Sequence, residues 1–314
     1  MTELHHIEST IEHSTGKILS RRRIASDSNE IWLIECAHGK FIAKIYDVRP
    51  SQRAGPTREI ELSKRLNGLA KTRELLLSDN SETLIPHRFA VYKYIEGQTL
   101  FALLSNEELS DGRLDVVSNN IAQMIEAVTA IEAELYGRLD ATVTRGTVSS
   151  WAAFLLNDMA GKIEETFRRN PIVSADTYSL PRQMLISRPE EFDFSGPKLV
   201  PVDLNTKNIL VAENGDVTLL DLKSFVSGDP LYAYAQFYAC MKGTPLGERF
   251  LRNLALATNE EFRFAFYGLL SNLNVLGYIA RLEAGDACLA CPWSNKARFV
   301  DLIAERATHL KGRR

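Results

Sequence analysis

Gly97 divides the chain into two kinds of sequence. Before it, apolar runs are short and separated by turn residues. Lys17 to Ile24, Glu30 to Cys36 and Lys40 to Tyr46 are split by Ser-Asp-Ser-Asn and Ala-His-Gly, which predicts an antiparallel meander. Pro56 opens a helix with Ile60, Leu62, Leu66 and Leu69 near one face and Gly68 close to its end. Strands are expected at Glu74 to Leu77 and at Arg88 to Ile95, the second closed by Glu96 and Gly97. After Gly97 the apolar spacing becomes helical over Gln98 to Ser105, Ser110 to Tyr136 and Ser150 to Arg169, where Asn170-Pro171 stops it. Residues 171–198 carry four prolines and read as a loop-rich insertion. Asn208 to Val211 and Val217 to Asp221 are β-like and flank the hairpin turn Glu213-Asn214-Gly215-Asp216; from Pro230 onward everything reads helical. Residues 1–16 read as a short, polar, frayed helix. The expected fold is α+β, with a small antiparallel β lobe carrying one helix over residues 1–96 and a larger helical lobe over residues 97–314.

Composition narrows the function classes. At roughly 150 residues per domain, 314 residues fit two lobes. The 37 Lys and Arg against 40 Asp and Glu give a net charge of −3, which makes no electrostatic case for nucleic acid or a membrane surface as partner. No apolar run reaches the about 18 residues a spanning helix needs, and the polar N-terminus lacks a signal-peptide core. Four cysteines in a chain this long make no disulfide framework, so a cytoplasmic protein is expected. Cys288 and Cys291 have no second ligand pair for zinc and read as small apolar packing near Trp293.

The chemistry is concentrated between Val200 and Pro230. Asp203 and Asn208 precede one apolar strand, and Asp221 ends the next. Groups at the edges of one hairpin can converge on a point. Two carboxylates and an amide oxygen supply the hard ligands Mg²⁺ prefers and one carboxylate to orient a hydroxyl. Taken singly, each residue reads better as a turn or cap.

Together they resemble the aminoglycoside phosphotransferase and choline kinase family of small-molecule kinases, which share the two-lobed protein-kinase-like fold. That family reads H-G-D-x-x-x-x-N-x-L-V, then I-D-W/F, then G-D-P. This chain reads P-V-D-L-N-T-K-N-I-L-V from Pro201, then L-L-D-L-K, then Gly228, Asp229 and Pro230. G-D-P is unusual in protein kinases and favours the small-molecule branch. The resemblance implies phosphoryl transfer from ATP or GTP to a hydroxyl of a small molecule. Asp203 would orient that hydroxyl and take its proton, and Asn208 and Asp221 would hold Mg²⁺. Lys44, in F-I-A-K-I-Y-D, would neutralise phosphate charge, aligned by Glu59; Glu61 competes for that part. Tyr92 would stand behind adenine, with the Lys93 carbonyl and the Ile95 N–H on its edge. Ser28 and Asn29 would meet phosphate from a turn, Ala25 to Asn29, that has no glycine.

The pattern departs at four places. Pro201 and Val202 replace the family His and Gly, Ala233 replaces the Asp usual after G-D-P-x-x, and Lys223 stands where many members have Glu. The rival reading is a nucleotide-binding pseudokinase with a regulatory role. From Gly243 to Arg314, ten Lys or Arg against seven Asp or Glu favour a neutral or anionic acceptor over a polycationic one.

Overall fold

Leu4–Thr15 forms a helix, α1, that is sewn into the core rather than frayed. Leu4, Ile7 and Ile11 recur at helical spacing and are fully buried. They pack on one face of a β-sheet, against Ile34, Phe41, Ala43, Phe89 and Val91. Thr15 Oγ1 donates to Ile11 O at 2.8 Å and contacts Cys36 Sγ at 3.2 Å. The polar average hid a single apolar stripe. Ile7→Ala should therefore cost ~2–5 kcal/mol of stability, measured by urea unfolding, where a frayed helix would lose almost none. The computed structural model describes residues 4–24, 29–46, 54–69, 71–106, 109–194, 196–281 and 295–312; Ser28, Cys288, Cys291 and Trp293 lie outside them.

The sheet contains β1 (Ile18–Ile24), β2 (Glu30–Cys36), β3 (Gly39–Ile45), β4 (Leu75–Asp79) and β5 (Phe89–Lys93), in the antiparallel order β1-β2-β3-β5-β4. Helix α2 (Ala54–Leu66) covers the face opposite α1, where Ile60 packs with Tyr46, Ala90 and Tyr92. Its Leu62 and Leu66 enter the larger helical core instead. Two further ties join the sheet to the rest. The N–H of Leu219 donates to Lys71 O at 3.0 Å, beside a parallel bridge between Thr72 and Leu219. β6 (Gln98–Thr99) pairs with β9 (Ile209–Val211).

Helix α3 (Leu100–Asn106) precedes α4 (Asp111–Thr129), which Ser110 caps by accepting from the Arg113 N–H. The helix expected to reach Tyr136 stops at Thr129. Beyond it the chain pairs as an extended strand, with Ile131 O accepting from Leu199 N–H and Ala133 N–H donating to Pro197 O. Leu135 and Gly137 then take positive φ, which a helix cannot contain. β7 (Gly137–Arg138) leads to α5 (Trp151–Phe154), a π-helical stretch Leu155–Ala160 and α6 (Gly161–Arg169). The expected loop-rich insertion holds two short helices, α7 (Ala175–Tyr178) and α8 (Leu180–Ser187). Two of its prolines open segments rather than break them: Pro181 sits in the first turn of α8 and Pro189 in the first turn of a 3₁₀ segment.

β8 (Lys198–Pro201), the hairpin of β9 and β10 (Val217–Leu219), and β11 (Phe225–Gly228) complete the strands. β11 pairs with β8 and β7 and was not foreseen, being four residues long. Then follow α9 (Leu231–Met241), α10 (Pro245–Asn253), α11 (Glu261–Arg281) and α12 (Lys296–Gly312). Nearly every residue of α9 is buried, so Tyr232, Phe237 and Tyr238 are core. Among the described residues no helix is long and apolar enough to cross a membrane.

The triplet Gly228, Asp229 and Pro230 docks α9 in this core. A Cβ on Gly228 would lie 2.3 Å from the Trp151 ring. Asp229, 3% exposed, accepts from the Leu231 N–H at 3.0 Å and from the Tyr267 hydroxyl at 2.8 Å, and Trp151 Nε1 donates to that same hydroxyl. Arg263 Nε lies 3.4 Å from Asp229 Oδ2. A buried carboxylate with a full set of donors is a structural clamp.

Candidate active site

Lys44 lies on β3 between β2 and β5, registered with Ile31 and Ala90. It is 6% exposed, and its Nζ sits 2.8 Å from both oxygens of Glu59, which α2 presents at 1% exposure. Burial at that level demands a partner, and two-oxygen contact supplies one. Glu61 turns outward to Lys64 and Asn80. A second cation joins Glu59: Arg73 Nη2 is 2.9 Å from its Oε1, and the guanidinium lies 4.0 Å from the Tyr92 ring centre. Arg73 has no motif to announce it; an arginine just before a strand was its only signal.

Tyr92 is fully buried, with its hydroxyl 3.2 Å from Ser63 Oγ and 3.4 Å from Tyr46 OH. Burial pushes the Tyr92 phenol up, and Glu59 adds to it, so the ring is a neutral wall. At the end of β5 the Lys93 N–H donates to Glu74 O and the Tyr94 N–H to Lys40 O, both at 3.0 Å. Lys93 is exposed and Ile95 half-buried. Asn29 stands, half-buried, at the entrance to β2.

Asp203 follows β8, Asn208 abuts β9 and Asp221 follows β10, so three strand ends deliver the three groups. Short local bonds fix the loop between them. Asn208 Nδ2 donates to Asp203 O at 3.0 Å, Asn205 Nδ2 donates to Asp203 Oδ1 at 2.7 Å, and the Leu220 N–H donates to Asn208 O at 2.8 Å. That last bond sets Asn208 beside the residue preceding Asp221. The two carboxylates diverge electrostatically. Burial pushes Asp203 up, with the Asp221 charge adding to it, against hydrogen bonds from Asn205. Burial also pushes Asp221 up, but Lys44 and Lys223 together outweigh it and hold the carboxyl below its ordinary value. Lys44, on the sheet, is thus near enough to Asp221, after β10, for its charge to favour the ionised carboxyl.

Pro201 ends β8 opposite Phe225 and has no side chain with which to brace the loop. Gln236 does so instead. From α9 its Oε1 accepts from the Leu204 N–H at 3.1 Å and its Nε2 donates to Val202 O at 2.6 Å, gripping the backbone on both sides of Asp203. Gln236 lies one helical turn beyond Ala233 on the same face. A polar residue one turn past an absent motif residue was the signal the sequence reading overlooked.

The donor set suits Mg²⁺. Asn208 has committed its NH₂, which leaves its carbonyl oxygen as an acceptor, and Asp221 is ionised. Among the described residues no three His, Cys, Asp or Glu side chains gather into a metal cage. An ion bound through one carboxylate and completed by substrate phosphates is the habit of Mg²⁺.

The fold is shared with solved kinases of small molecules. A thermostable mutant of aminoglycoside phosphotransferase APH(4)-Ia, apo form, superposes with a TM-score of 0.67 at 13% identity, covering 96% of this chain and 98% of that one. A putative fructosamine-3-kinase from Haemophilus somnus 129PT gives 0.60 at 15% identity, covering 96% of each chain. ADP-bound aminoglycoside phosphotransferase APH(2'')-Ib gives 0.59 at 16% identity, covering 97% of this chain and 96% of that one. No curated protein matches the sequence. The sequence pattern of the phosphotransferase enzyme family matches residues 20–267, most of the chain and every site residue described above, and the protein belongs to that family.

Proposed function

We propose that the protein is a kinase that transfers the γ-phosphoryl group of ATP or GTP to a hydroxyl of a small molecule. One observation supports the reading: Lys44, held by buried Glu59, lies near enough to Asp221 to lower its carboxyl pKa, and Asp221 in turn lies near enough to Asp203 to raise that one. Lys44 takes phosphate charge while Glu59 and Arg73 fix its position. The residues after β5, Lys93 to Ile95, offer backbone groups to the adenine edge, with Tyr92 behind them. Asn29, at the entrance to β2, would meet phosphate, together with Ser28, which precedes it in the sequence. Asp203 accepts the proton of the acceptor hydroxyl as its oxygen bonds to the γ-phosphorus. The bond from that phosphorus to the bridging oxygen breaks, and the nucleoside diphosphate leaves with the electron pair. Asn208 and Asp221 would hold Mg²⁺, which when bound neutralises phosphate charge. Catalysis is then mostly positioning and electrostatics.

The charge balance after Gly243 favours a neutral or anionic acceptor, although a similar structure holds ADP with hygromycin B. Retention of all five charged or metal-holding groups favours an enzyme over a pseudokinase, and the Gln236 brace removes the objection raised by Pro201 and Ala233. The test is ADP release with sugars, hydroxy-amino acids and aminoglycosides as acceptors. Turnover on at least one is expected. Tight nucleotide binding with no turnover on any acceptor would establish the pseudokinase instead.

A further inference from the structure

Lys223 is folded into the centre rather than away from it. Its Nζ lies 2.8 Å from Asp221 Oδ2, and its own backbone N–H donates to Asp221 Oδ1 at 3.0 Å. One residue thus occupies both oxygens of the carboxylate. The ammonium is also within the electrostatic reach of Asp203 and Glu59. The surrounding oxygen supply is small. Asp203 Oδ1 is taken by Asn205, the Asn208 NH₂ by Asp203 O, and among the described residues no third acidic or histidine side chain joins these two carboxylates. Kinase centres that use two ions hold them on the metal-loop aspartate and the catalytic-loop asparagine. Ions so paired sit about 3.5–4 Å apart, each needing carboxylate oxygen. An ammonium 2.8 Å from Asp221 Oδ2 places a positive charge beside the carboxylate that a second ion would share, and like-charge repulsion disfavours that ion.

We propose that the Lys223 ammonium replaces the second divalent cation: the centre binds nucleotide with one divalent ion, and Lys223 touches the terminal phosphate as the remaining positive charge. The inference rests on the kinase reading. A tethered ammonium is present at every magnesium concentration, so the enzyme would need only its tighter ion to work.

The test is electron paramagnetic resonance titration of Mn²⁺ into the full-length protein with a non-hydrolysable ATP analogue. One bound Mn²⁺ per chain is expected for the wild type and a second, weaker one for Lys223→Glu. Lys223→Gln should lower kcat by about tenfold or more, with partial recovery as Mg²⁺ is raised. Side-chain exposure of 49% makes either variant tolerable to folding. Two Mn²⁺ bound by the wild type, or variants matching it in stoichiometry and in Mg²⁺ dependence, would overturn the proposal. A wild type that binds the analogue and one Mn²⁺ but turns over no acceptor would sink the kinase reading and leave the ion count standing. Failure to bind the analogue at all would sink both.

Discussion

Asp203→Asn is expected to lower kcat by about 10²-fold or more while nucleotide affinity stays nearly unchanged. The substitution keeps the shape of the side chain. The backbone grip of Gln236 on Val202 and Leu204 and the Asn208 bond to Asp203 O do not involve the carboxylate, so the loop keeps its course. What disappears is a proton acceptor. The wild-type pH profile carries a matching signature. Burial raises the Asp203 pKa, and the residue works only when ionised, so kcat should fall as pH drops through a value above that of an ordinary aspartate. Steady-state kinetics across acidic pH, with ADP binding measured in parallel, checks both. Unchanged kcat in the variant would remove Asp203 from the chemistry.

Asp221→Ala should act on binding instead. Its carboxylate is the ionised partner of Lys223 and the counter-charge of Lys44, and in the proposed mechanism it is the charged donor to the metal. Removing it should abolish the tightening of nucleotide binding by Mg²⁺, at least about tenfold or ~1.4 kcal/mol, with much weaker effects in metal-free buffer. Calorimetric titration of ADP with and without Mg²⁺ reads this directly. If Asp203→Asn and Asp221→Ala gave the same pattern of kcat and affinity, the division of labour between the two carboxylates would be wrong.

Residue types at fixed spacing pointed to the candidate centre. Asp203, Asn208 and Asp221 stood out because phosphoryl transfer would need such groups together, and the fold sets them at the ends of neighbouring strands. The fifteen-residue step from Lys44 to Glu59 spans one strand end and one helix start. Gln236 and Arg73 were invisible for the opposite reason. Each acts through a partner distant in sequence, Gln236 on a backbone 32 and 34 residues away and Arg73 on a carboxylate 14 residues back. Helix α1 was misread because three buried apolar side chains decide its fate while nine others set its average polarity. The end of α4 was set by pairing with the segment before β8, a partner more than sixty residues further on. Local periodicity contains no trace of it.

The ties between the sheet and the helical part have a mechanical meaning. One stitch joins Lys71 to Leu219, and the other joins Gln98 and Thr99 to Val211 and Leu210. With Arg65 of α2, which donates to Glu132 O and Val143 O, these pins define an axle. Any swing of the sheet about it displaces each atom in proportion to its distance from the line, as on a lever. The segment Lys93 to Ile95 runs straight into the second pin and hardly travels. The far ends of β1 and β2 carry the full amplitude.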